Sequence, residues 1–202
     1  MLKLWLVTCP DDFSAEYEDV EEMFRRGLTR LILDKRRNSV DDYERWLLSL
    51  SEEYRERIWV RGTPDVAEHL DVRGCVCEAR SVMGEVPESW KRVNCIALCR
   101  NPEEYLSLPD WVSGALMGPL YQPMSALEPV ATLDVSLLEK AASDRTGSMP
   151  IIAWGGVEPE TLPEIRKLPV SGVACLGGIW NYADPINAFI KMQRAVTGFG
   201  GV

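Results

Sequence analysis

Residues Pro150–Trp180 constrain the fold of this chain more than any other stretch. They contain P-I-I-A-W-G-G-V-E-P-E-T-L-P-E-I and then V-S-G-V-A-C-L-G-G-I-W, two short apolar runs that each close on a glycine pair, Gly155–Gly156 and Gly177–Gly178. An apolar run of this length suits a strand buried on both faces, as in a parallel sheet covered by helices. Between the runs, Glu158–Lys167 opens with acids and a proline and ends on Arg166 and Lys167, the charge order a helix dipole favours. Strand, glycine turn and helix are thus repeated. In an eight-fold β/α barrel the loops after the last two strands commonly form a phosphate-binding pocket, and glycine lets the backbone come close to a ligand. The alternative is that both pairs are plain turn residues. Their placement at the ends of two successive strand-like runs favours the pocket.

The same alternation runs through the 202 residues. Strand-like runs at Leu4–Val7, Arg30–Leu33, Arg57–Val60, Gly74–Cys77, Val93–Leu98 and Trp111–Met117 precede the two glycine units. Helical patterns lie between them. Ala15–Arg26 stops at Gly27, Ser39 with Asp42 forms a capping-box start, Thr63 caps a helix through Leu70, and Asn101–Pro102 opens another. Leu133–Ala142 and Asp184–Val196 complete the set. Eight alternations in this length is the lower size limit of a barrel, so the expected fold is α/β, a (β/α)8 TIM barrel forming a single minimal domain. An open doubly wound sheet is the runner-up, because alternation alone does not require closure.

A formal charge of −9 argues against a nucleic-acid partner, whose backbone is bound by basic surface. It leaves room for a small phosphorylated ligand, because main-chain amides bind a phosphate without net positive charge. The opening apolar run is broken by Lys3 and ends at Pro10–Asp11–Asp12, and no run approaches the length of a membrane helix. No membrane partner and a cytoplasmic location are therefore expected. The six cysteines lie mostly in strand-like runs and read as reduced, small core residues. A zinc site from Cys75, Cys77, Cys95 and Cys99 is the sharper alternative, but C-x-C and C-x3-C are not the common zinc spacings. His69 falls inside a helix and reads as structural.

Strand ends carry function in a barrel. Here they present Thr8, Asp34–Lys35–Arg36–Arg37, Arg61, Glu78–Ser81, Cys99–Arg100, Tyr121–Gln122–Ser125, Trp154–Gly156 and Gly177–Trp180. Lys35 and Arg61 are suited to neutralising an anion, although Lys35–Arg37 also reads as a solvated loop.

The block P-I-I-A-W-G-G-V-E-P-E-T-L with S-G-V-A-C-L-G-G-I-W-N-Y-A-D-P resembles the C-terminal part of the thiamine phosphate synthase and TenI-type thiazole tautomerase family. L-I-L-D-K, P-D-V-A-E and M-G-P-L-Y-Q-P-M-S resemble further segments of that family in the right order. The resemblance implies a barrel of thiamine biosynthesis that holds a thiazole phosphate and, if active, joins it to hydroxymethylpyrimidine diphosphate with loss of pyrophosphate. It implies phosphate binding by Gly155, Gly156, Gly177 and Gly178, and catalytic positions at Lys35, Cys99, Arg100 and Ser125. Placement at strand ends offers Arg61, Glu78 and Ser81 as substrate or anion contacts, and the resemblance implies Mg²⁺ as cofactor and a homodimer. The departures gather on the metal side. Arg61–Gly62 aligns with the family's Asn-Asp pair, Ser81 with its second magnesium aspartate, and Arg100 with the tautomerase's histidine base. Arginine stays protonated and cannot act as that base; Cys99 or Glu78 would have to move the proton. The expectation is a divergent transferase-type barrel whose phosphate cradle is kept and whose magnesium and diphosphate site is degenerate. The alternatives are a non-catalytic phosphate-ligand-binding or regulatory barrel, or an enzyme on another phosphorylated metabolite.

Overall fold

The computed structural model describes residues 2–9, 13, 15–35, 39–124, 126 and 128–198. Eight parallel strands pair in sequence order: β1 (Lys3–Val7), β2 (Leu31–Leu33), β3 (Ile58–Arg61), β4 (Gly74–Glu78), β5 (Asn94–Cys99), β6 (Gly114–Met117), β7 (Ile151–Trp154) and β8 (Gly172–Cys175). Lys3–Leu6 pair with Gly172–Cys175 across the seam, which closes the sheet into a TIM barrel and removes the open-sheet alternative. The helices are α1 (Glu16–Arg25), α2 (Val40–Leu48), α3 (Pro64–His69), α4 (Pro102–Leu106), α5 (Val135–Asp144), α6 (Leu162–Ile165), α7 (Gly177–Trp180) and α8 (Pro185–Thr197). Among the described residues no helix is long and apolar enough to cross a membrane.

Local chemistry fixes most of the boundaries. Ser39 and Asp42 form a reciprocal capping box at α2, and the side chains of Asn101 and Asp184 cap α4 and α8. Thr63 occupies the cap position of α3 without a side-chain hydrogen bond. Two expected elements are shorter than the sequence suggests. The helix expected over Glu158–Lys167 contracts to α6, because the Thr161 hydroxyl accepts from Glu158 N and donates to Gly156 O, holding the preceding residues in a turn. The sixth strand starts at Gly114 rather than Trp111, because a turn joins Val112 N to Pro109 O.

Strand residues alternate between the barrel interior and the shell beneath the helices. Trp5, Trp59, Ile96 and Ile152 come from odd-numbered strands, and Ile32, Val76, Leu116 and Ala174 from even-numbered ones, and together they fill the interior. Val7, Leu98 and Trp154 pack on this cluster toward the C-terminal ends. The opposite parity feeds the larger core shared with the helices, where Leu33, Cys77, Cys99, Leu138 and Phe189 are buried. The six cysteines are free, and all but Cys9 are buried. Among the described residues no group of three or more His, Cys, Asp or Glu side chains is placed to hold a metal ion.

Candidate functional site

A cavity of about 420 Å³ opens at the C-terminal ends of the strands. Its floor is apolar, made of Val7, Ile32, Val76, Leu98, Leu116 and Ala174. One wall is backbone, from Gly155–Val157 after β7 and Leu176–Gly178 after β8. Asp34 and Arg61 stand among its lining residues on β2 and β3, and Pro123, Met124, Ala126 and Val130 enter from the segment after β6. Trp154 lines it too, and its indole Nε1 is buried with no hydrogen-bond partner among the described residues. A buried N–H donor without an acceptor costs about 1–3 kcal/mol and calls for an explanation.

The two glycine turns meet. Cys175 Sγ donates to Val157 O at 3.3 Å, and a Cβ on Gly178 would stand 2.5 Å from the same oxygen. Burial pushes the Cys175 thiol up to about 12, so it remains a neutral donor. Gly155 and Gly156 have φ of +89° and +60°, where side-chain-bearing residues are strained. Neighbouring protein also requires them to be glycine. A Cβ on Gly155 would lie 2.2 Å from Pro119 Cβ, and one on Gly156 2.6 Å from Tyr121 Cβ. Close packing of the segment after β6 dictates these glycines, whether or not a ligand also approaches them. Leu120 N and Tyr121 N donate to Trp154 O and Gly155 O at 2.8 and 3.2 Å, which fastens that segment to the end of β7. The short helix α7 starts at the second glycine pair, and Trp180 Nε1 donates to Val7 O at 2.7 Å, locking the turn to β1.

A chain of charges crosses the other half of the mouth. Arg61 pairs with Glu78, which also takes Arg100, and Arg61 Nε lies 4.0 Å from Asp34 Oδ2. Arg61 Nη1 donates to Val76 O at 3.0 Å, which fixes its direction. The Arg100 hydrogen bond, with support from Arg61, holds the Glu78 carboxyl below the usual carboxylate range. Glu78 and Arg100 stand outside the cavity lining, and Arg61 and Asp34 stand within it. Glu78 is thus engaged by two guanidinium groups, and a divalent cation would have to displace them. That donor set does not fit Mg²⁺, which relies on available oxygen ligands.

Three expected site residues are placed elsewhere. Lys35 lies one residue past inward-facing Asp34, so its side chain points into the shell. There it is buried, pairs with Glu16 of α1 and donates to Cys9 O at 2.9 Å. Glu16 also accepts from Cys9 N at 2.8 Å and from Trp46 Nε1 at 3.3 Å. Lys35 therefore organises the base of the first loop rather than a substrate. Cys99 follows inward-facing Leu98, so it too points outward. It is fully buried, and burial pushes its thiol up to about 12, the wrong state for a nucleophile or base near neutral pH. Ser81 is exposed in a turn after β4 and does not line the cavity. Ser125, with Arg36 and Arg37, lies outside the described residues. His69 is on α3 at 3.0 Å from Glu44, away from the cavity lining. Trp154, Asp34 and Glu158 are the cavity residues that reasoning by strand ends left without a role. Strand parity was the available signal for the first two.

No protein-family model matches the sequence, and no curated protein does either. Solved structures do match. A thiamine phosphate pyrophosphorylase from Bacteroides thetaiotaomicron has a TM-score of 0.76 and 22% identity over 100% of both chains. One from Pyrococcus furiosus has a TM-score of 0.78 and 20% identity over 99% of this chain and 98% of the other. A 3-hexulose-6-phosphate synthase has a TM-score of 0.68 and 14% identity over 96% of this chain and 100% of its own. The likeness is one of fold. It extends over several barrel enzymes whose names carry different phosphorylated substrates.

Proposed function

We propose that the barrel binds a small monophosphorylated heterocycle of the thiazole phosphate type, and that it does so without Mg²⁺. The carrying observation is that the two glycine turns, on adjacent strands, open on one apolar cavity. In this reading the phosphate rests against the main chain of the Gly155–Val157 and Leu176–Gly178 turns. The ring lies on Val76, Leu98 and Leu116 beside the Trp154 indole, whose buried N–H has no partner among the described residues and meets a ring acceptor once the indole turns toward the cavity. A thiazole ring nitrogen is such an acceptor.

The resemblance in the glycine blocks implies the synthase family, and the full-length structural likeness to thiamine phosphate pyrophosphorylases agrees with it at the level of fold. The transferase step needs charge withdrawn from a departing pyrophosphate. Among the described residues the cations at this end, Arg61 and Arg100, are paired with Asp34 and Glu78. The proposed protein is therefore a thiazole phosphate binder with little or no turnover.

Thermal unfolding with thiazole phosphate, thiamine phosphate and pyrophosphate–Mg²⁺, followed by a pyrophosphate-release assay with both synthase substrates, tests this. A raised melting temperature with the first two ligands only, and no pyrophosphate release, is the expected result. Stabilisation by pyrophosphate–Mg²⁺ with steady release would instead make the protein a working synthase.

A further inference from the structure

A second cavity, of about 360 Å³, lies at the N-terminal end of the barrel. The apolar interior layers separate it from the mouth. Strand alternation explains which residues line this end. Below Ile32, Val76, Leu116 and Ala174, the next inward positions are Arg30, Gly74, Gly114 and Gly172. Three glycines leave that layer to its neighbours. A Cβ on Gly74 would lie 2.0 Å from Asn94 O and 2.9 Å from Trp59 Nε1, and one on Gly172 2.8 Å from Lys3 O and 3.1 Å from Trp5 Nε1, so neighbouring main chain and the two indoles close up against these glycines. The two indoles pack with ring centroids 4.5 Å apart, and Trp59 Nε1 donates to Asn94 Oδ1 at 3.0 Å.

Arg30 is the one side chain of that layer. Its guanidinium lies over the Trp5 ring, 5.6 Å from the centroid, and donates to Thr29 Oγ1 at 3.0 Å. Among the described residues it pairs with no carboxylate. Burial without a counter-charge pulls its pKa below the ordinary arginine value. Lys3 and Arg73 line the same cavity, and the acid among the lining residues, Glu56, is 3.5 Å from Arg73. Three cations face one acid in a protein whose formal net charge is −9.

We infer that this N-terminal cavity is a second binding site, for a small oxyanion-bearing metabolite, either a phosphate ester or a polycarboxylate. A guanidinium fixed on an indole keeps its N–H fork aimed and is weakly hydrated, so it loses little on pairing with an oxyanion. Asn94, Ser113 and Ser171 supply neutral hydrogen-bonding groups on the same lining. The inference does not depend on what the mouth binds.

The test follows the indole N–H cross-peaks of Trp5, Trp59 and Trp154 in two-dimensional ¹H–¹⁵N spectra, each assigned by a tryptophan-to-phenylalanine substitution. Inorganic phosphate and citrate are titrated separately at constant ionic strength. The expected result is a saturable shift of the Trp5 or Trp59 peak with at least one probe, weakened about tenfold or more in Arg30→Gln. Saturation by phosphate alone assigns the site to phosphate esters, and saturation by citrate alone to polycarboxylates. Lys3→Gln, at an exposed position, provides a second variant if Arg30→Gln does not fold. The inference is overturned if the Trp5 and Trp59 peaks stay still while Trp154 moves. It is equally overturned if their shifts never saturate, or if the variants bind as the parent does.

Discussion

Lys35 and Cys99 each sit one residue beyond an inward-facing position, and that single step decides their chemistry. Lys35 and Glu16 have side chains 1% and 2% exposed, so each charge depends on the other in a poorly solvated shell. Removing one partner of such a pair costs about 3–5 kcal/mol. Lys35→Ala should therefore lower stability by about that much in urea unfolding, and Lys35→Met with Glu16→Gln should recover most of it. If Lys35→Ala leaves the midpoint unchanged and abolishes ligand binding, the catalytic reading of Lys35 returns. For the thiols, the native protein should be alkylated at Cys9 before the buried five react, as peptide mass spectrometry would show. Cys99 and Cys175 are raised from 9.0 to about 12 by burial, so the fold holds their protons longer than the unfolded chain does. Their contribution to stability is full below pH 9 and declines as pH rises from there toward 12. Cys99→Ala should flatten that alkaline decline. Trp154→Phe keeps an aromatic face on a smaller ring and removes the N–H donor, so calorimetry should show thiazole phosphate binding weakened about fivefold or more. Unchanged affinity would mean the indole N–H meets no ligand atom.

Among the elements, the turns after β7 and β8 carry the proposed phosphate contact, and their glycines are poor places to test it. A side chain at Gly155 would collide with Pro119, and one at Gly156 with Tyr121, so any loss of binding would be entangled with damage to the mouth. Glu158 offers a cleaner probe, since it lines the cavity directly after the first turn. A carboxylate there opposes a bound phosphate through the solvent-screened field, worth about 0.5–1 kcal/mol. Glu158→Gln should tighten thiazole phosphate about two- to five-fold in the same titration. No change would place the phosphate away from the β7 turn. The eight strands were legible in the sequence because each is an apolar run bounded by a turn or a cap, as at Asn101 and Ser39. Side-chain direction at the strand ends follows from the alternation through Ile32 to Asp34 and Lys35, which apolar runs alone do not reveal. Pairings such as Glu78 with Arg61 and Arg100 bring residues 17 and 22 positions apart together, and only the closed sheet shows them.

For the whole molecule, closure of the barrel divides one interior into two ends of different character. The mouth is apolar with a backbone wall and a neutralised run of charges, and the opposite end is cationic over two indoles. The central claim concerns the mouth: a monophosphate dianion is gripped there by main-chain groups and an apolar floor, with no metal. Isothermal titration of the protein with thiazole phosphate and with the matching dephosphorylated alcohol, both in excess EDTA, tests it most directly. The account predicts a saturable phosphate site that persists in Arg30→Gln, where the N-terminal cavity is disabled, with the alcohol at least about tenfold weaker. Equal binding of the two, or binding of the phosphate only after Mg²⁺ is restored, would contradict it.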